Sequence, residues 1–140
     1  MKKIFLSLML VPVFGLSAQS DDTVHQFVDI MPVLASCASK ASDSEAQRCS
    51  QLAIIEHLRQ NMKLTKAEVE NGVQGTVLVS FVVSKDGRAT QPNIERGISP
   101  DLDQSVKDAV LTLPAFEAGR LHAQPVNTRL SVPMKVSLNQ

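Results

Sequence analysis

The side chains able to do chemistry are few and scattered. His25, His57 and His122 fall in an early polar segment, on a helical pattern and in a loop, with none of the close spacings that put two ligands on one face. A zinc site has nothing to be built from, and surface positions are expected. Asp101 and Asp103 are a near pair of carboxylates, but they open a helical pattern, where acidic residues complement the helix dipole. Ser99 and Ser105 have no nucleophile elbow around them, and no phosphate loop or dinucleotide glycine pattern occurs. No catalytic residue, metal or small-molecule cofactor is therefore expected, and the chain does not read as an enzyme.

Cys37 and Cys49 remain. Their redox state depends on the compartment, and the first residues speak to that. Lys2 and Lys3 precede an apolar run from Ile4 to Leu16, then the small and polar stretch Ser17, Ala18, Gln19, Ser20. This is the layout of a secretory signal peptide, with cleavage expected after Ala18. A retained membrane anchor is the alternative, but Pro12 interrupts a run shorter than the roughly 20 residues a spanning helix needs. The first cysteine, Cys37, lies too far downstream for lipidation. In an exported chain an even pair of cysteines points to a Cys37 to Cys49 disulfide, and a metal site would want more ligands than the nearby His57. Loss of Lys2 and Lys3 from 14 basic side chains against 14 acidic ones leaves a net charge of −2. Without a basic cluster, and with five Phe but no Tyr or Trp to stack on bases, nucleic acid is not an expected partner.

The 140 residues allow one compact domain, read here as a signal peptide over 1–18, an irregular lead-in over 19–45 and a folded domain over 46–140. In the lead-in only Phe27, Val28, Ile30 and Met31 form an apolar patch, with room for one short strand. Cys49, Leu52, Ile55, Leu58 and Met62 recur every three or four positions, predicting a helix from Ala46 to Met62 with that stripe inward. Val77, Val79, Phe81 and Val83 alternate with Thr76, Leu78, Ser80 and Val82 as a strand, and Lys85-Asp86-Gly87 reads as a hairpin turn into a second strand from Arg88 to Arg96. Pro92 belongs at an edge or bulge. Ser99, Pro100 and Asp101 open a second helix, with Asp101 as the expected cap completed by Gln104 and with Leu102, Val106, Ala109, Val110 and Leu113 on one face. A long last strand runs from Val126 to Leu138, with Pro133 again a mark of an edge or interruption. The expected fold is an α+β two-layer sandwich, a small antiparallel three-stranded sheet with two helices packed on one face.

A series of motifs in this order resembles a known family. Gly75-Thr-Val-Leu-Val-Ser-Phe-Val-Val-Ser-Lys-Asp-Gly87 resembles the G-x-V-x-V-x-F-x-V-x-x-D-G core of the TonB C-terminal domain. Arg96-Gly97-Ile98-Ser99-Pro100-Asp101-Leu102-Asp103 is similar to that family's R-G-x-x-P-x-L-D, and Leu113-Pro114-Ala115-Phe116-Glu117-Ala118-Gly119 to its L-P-x-W-x-P-G. Gln124-Pro125-Val126 and Val132-Pro133-Met134 resemble its K-P-V and L-P-I motifs. The likeness covers about residues 58 to 138. Asn61 matches a family Asn, whereas Leu64 and Thr65 stand where the family carries Y-P, and Phe116 and Ala118 where it carries Trp and Pro.

The resemblance implies a periplasmic protein-binding module, similar to standalone secreted members of Bacteroidetes type. Its implied partner is an extended peptide of a TonB-dependent outer-membrane transporter or other envelope protein, added as a strand. Neither an inner-membrane helix nor a proline-rich span stands in the sequence, so the implication covers the domain and not force transmission. Expected partner-binding residues are Asn61 and, along the last strand, Val126, Asn127, Thr128, Arg129, Leu130, Ser131 and Val132. Two rival uses of that strand stay open: self-pairing in a homodimer, and occupation by the lead-in around Phe27 to Met31. For the exported chain, intact-mass analysis of the periplasmic fraction is expected to show loss of Met1 to Ala18.

Overall fold

The computed structural model describes residues 23–137; the expected signal segment and Leu138 lie outside them. In chain order the elements are β1 (Val24–His25), β2 (Val33–Leu34), a 3-10 turn (Ala35–Cys37), α1 (Asp43–Asn61), α2 (Lys66–Glu70), β3 (Gly75–Val83), β4 (Ala89–Arg96), α3 (Pro100–Val110), β5 (Phe116–Glu117), β6 (Gly119–Leu121) and β7 (Gln124–Val136). The α+β character stands, with more pieces than expected. The sheet runs β1-β7-β3-β4 with β6 also on β7, and β2 pairs β5 in a second, two-stranded sheet. A five-residue helix, α2, adds to the two long ones.

The hairpin of β3 and β4 follows from its turn. Gly87 has φ +84°, where only glycine is unstrained, and a Cβ there would collide with the carbonyl oxygen of Phe116. The Gly87 carbonyl accepts the Phe116 N–H at 2.8 Å, so the turn also docks β5. Pro92 sits on the outer strand β4 and at a bulge: Ser80 pairs Asn93 and Val82 pairs Thr90, which sets two β4 residues against one on β3. β3 then pairs β7 without a break from Gly75↔Val136 to Val83↔Thr128.

The alternation of β3 sends Val77, Val79, Phe81 and Val83 into one core with Leu102, Val106 and Val110 of α3 and Val132, Met134 and Val136 of β7. The Phe81 ring lies 6.1 Å from that of Phe116. On the opposite face Ser80 and Val82 are also buried, because β3 is the central strand and its neighbours crowd both sides.

Two helical details differ from expectation. In α1 the buried residues are Ala46, Ser50, Ile54 and Leu58, and Leu52 is 63% exposed. The stripe therefore runs every four residues through two small side chains. Ser50 is buried because its hydroxyl accepts the Leu34 N–H at 2.9 Å, a bond to a distant segment. At α3 the cap is Ser99, accepting from the Leu102 N–H, with Pro100 in the first turn; Asp101 is simply the next residue, and Gln104 bonds Asp108 instead. Proline at the first helical position leaves the residue before it as the cap. Asp103 reaches back to the Ile98 N–H at 3.0 Å and lies so close to Gly97 that a Cβ there would strike its carboxylate.

Glu68 joins two helix starts. Its carboxylate accepts the Thr65 N–H at 2.8 Å, closing a capping box on α2, and the Leu102 N–H at 3.1 Å and the Ser99 hydroxyl at the start of α3. The Ser99 hydroxyl, then the Thr65 backbone, hold the Glu68 carboxyl below the usual carboxylate range against the opposing effect of burial.

The lead-in is tied down. Cys37 and Cys49 form the expected disulfide, joining the 3-10 turn to α1. β2 lies antiparallel to β5, Ile30 bridges Arg120 of β6, and β1 runs parallel to β7. The segment read as irregular thus carries two short strands, stitched to four different elements.

Phe81→Ala should cost about 3 to 5 kcal/mol in a denaturant titration, as a buried large-to-small change. Because the Glu68 pKa is depressed on folding, its stabilisation is full above the unfolded carboxylate value and is lost as pH falls through the folded one. Glu68→Gln should accordingly be less stable than the parent at neutral pH, and the two melting curves should converge on acidification.

Candidate functional site

The last strand offers backbone groups along one side; among the described residues the outer strand β4 is the sheet's other open edge, with Pro92 and a bulge within it. β7 is long enough to outrun its neighbours: β6 pairs Gln124 to Val126, β1 pairs Asn127 and Thr128, and β3 pairs Thr128 to Val136. β1 and β3 flank β7 on opposite sides. Among the described residues no strand lies beside Arg129 to Val136 on the side away from β3.

Which groups face that side follows from one proline. In an antiparallel ladder the residues alternate between those whose N–H and C=O bond the neighbour and those whose groups point away. Pro133, opposite Leu78, has no N–H, and a position pointing away from β3 is where that loss breaks no ladder bond. The same parity turns the N–H and C=O of Arg129, Ser131 and Lys135 outward. Arg59 of α1 agrees with it, its guanidinium donating to the Lys135 carbonyl at 3.4 Å.

Beside this edge α1 crosses the strand. A groove of about 160 Å³ opens there, with Gln47, Ser50, Gln51 and Ile54 on the helix side, Leu130, Ser131 and Val132 on the strand side, and Met31 and Pro32 of the lead-in closing one end. Charge is one-sided: Arg129 and Lys135 make no ion pair, and the ion pair found among the described residues is Lys66 with Glu70 on α2.

The expected binding residues divide into three groups. Arg129, Leu130, Ser131 and Val132 lie along the open stretch, where Leu130 and Val132 face the helices and Arg129 and Ser131 the opposite side. Val126, Asn127 and Thr128 are already engaged, the first with Gly119 of β6 and the other two with β1. The Asn127 side chain also accepts the Lys85 N–H at 2.9 Å, and Thr128 is fully buried. The lead-in thus takes one end of the edge, through Val24 and His25, while Ile30 goes to β6. Asn61 is elsewhere: its amide donates to the His57 carbonyl at 2.8 Å, and it lines a groove with Lys63, Ser105 and Asp108. Sequence reasoning missed Arg59, Gln47 and Gln51, whose only signal is a polar face on a helix and whose relevance depends on where α1 crosses β7.

Two long helices over one face of a sheet, with a last described strand that leaves eight consecutive residues, Arg129 to Val136, without a described strand neighbour on one side, define an α+β domain with an open strand edge. The model of the family described as Gram-negative bacterial TonB protein C-terminal matches residues 60–137, and the chain belongs to that family. Comparison with curated proteins finds no match. Among solved structures the chain is similar to NMR structures of the Helicobacter pylori TonB C-terminal domain. One fragment is 19% identical, with 75% of this chain and 91% of that one covered and a TM-score of 0.49. A shorter fragment is 20% identical, with 64% and 94% covered and a TM-score of 0.47.

Proposed function

We propose that this protein is a periplasmic interaction module that takes up an extended peptide of an outer-membrane transporter or other envelope protein as an added strand, in TonB-type transport and without enzymatic chemistry. The observation that carries this reading is the outward row of backbone groups at Arg129, Ser131, Pro133 and Lys135, beside which no described strand lies. Main-chain bonds to such an edge supply affinity, and the side chains at alternate positions supply choice. Family membership and the disulfide, which suits an oxidising compartment, support the same location and role.

The ladder parity gives a sharp test. Ser131→Pro deletes an outward donor, whereas Leu130→Pro deletes a donor that bonds β3 opposite Phe81. Crosslinking of the mature protein in envelopes is expected to lose its partner with Ser131→Pro while the fold survives; Leu130→Pro should lower the melting temperature more. Undiminished crosslinking by a folded Ser131→Pro variant would mean that this edge is not the docking site, and a concentration-dependent dimer lost in the same variant would favour self-pairing.

A further inference from the structure

We infer that the segment docked on β7 alternates carboxylates, facing Arg129 and Lys135, with small aliphatic side chains that enter the groove under α1. This rests on the strand-addition reading above and deepens it by naming the partner's chemistry.

An added strand has two faces, and each meets a different surface here. Residues pointing toward the helices lie beside Leu130 and Val132 and against Ile54, with Gln47 and Gln51 at the rim. A groove of about 160 Å³ admits branched aliphatic side chains, and its amides keep the rim wet. Residues pointing the other way lie beside Arg129, Ser131, Pro133 and Lys135. Among the described residues neither Arg129 nor Lys135 has an acidic partner, and opposite charges placed across neighbouring strands stabilise the pair.

The same charges disfavour a second copy. Two β7 edges paired antiparallel over their full open stretch would set Arg129 of one opposite Lys135 of the other, like charge against like, at both ends. The span is bounded too. β1 on Asn127 and Thr128 closes one end and the Arg59 guanidinium on the Lys135 carbonyl marks the other, so about seven residues fit.

Synthetic heptapeptides test this with the mature protein and backbone amide shifts from NMR. One peptide alternates valine with glutamate, a second valine with lysine, a third serine with glutamate. The valine–glutamate peptide is expected to shift Arg129 to Lys135 and to bind at least tenfold more tightly than either of the others. The double variant Arg129→Glu, Lys135→Glu should reverse the preference toward the valine–lysine peptide. Equal binding of all three at this edge would overturn the charge and groove assignment while leaving strand addition intact. Failure of all three to shift these amides overturns both. Shifts that follow protein concentration alone, without peptide, would assign the edge to a second copy and overturn the inference.

Discussion

Everything in this domain hangs on the pairing of β3 with β7. Nine residues of β3 face nine of β7 in unbroken register, and a slip of one residue would turn Val77, Val79 and Phe81 away from α3. The same register fixes which β7 groups look outward, so core and edge are two readings of one constraint. Pro133 reinforces it. In a register shifted by one its missing N–H would fall inside the ladder, and the correct pairing is the one that loses no bond.

The surrounding pieces serve to hold that pair at a fixed angle to the helices. Glu68 ties the start of α3 to α2, and the Gly87 carbonyl pins Phe116 next to Phe81. The disulfide and the Ser50 hydroxyl fasten the lead-in to α1, and from there Met31 and Pro32 reach the groove beside β7. The candidate site is therefore assembled from the lead-in, the first helix and the final strand.

How much of this was legible depended on the range of the interaction. The strands, the Lys-Asp-Gly turn, the α3 stripe and the disulfide are local patterns, and each stood out because apolar periodicity or cysteine pairing is written in neighbouring residues. The α1 stripe misled because Ser50 is buried through a bond to Leu34, sixteen residues earlier, which no periodicity reports. Acidic residues suit a first turn, which favours Asp101 as the cap on pattern alone, but Pro100 at the first helical position makes the cap Ser99. Most of β7 was recognisable as a strand. That β1 would take Asn127 and Thr128, or that Arg59 would reach Lys135, is a matter of distant segments meeting, and Asn61, which stands out only by its likeness to the family pattern, lies apart from the edge.

The parallel pairing of β1 with β7 joins residues about a hundred positions apart, the kind of contact that forms late because a long loop must close first. Cys37 and Cys49 are near neighbours by comparison and are made early. Of the described elements β7 is the last to be synthesised, so a nascent or prematurely ended chain has its lead-in and α1 but no edge to present. On the proposed reading such fragments do not compete for the partner, and the chain becomes competent to dock once the last described strand is made.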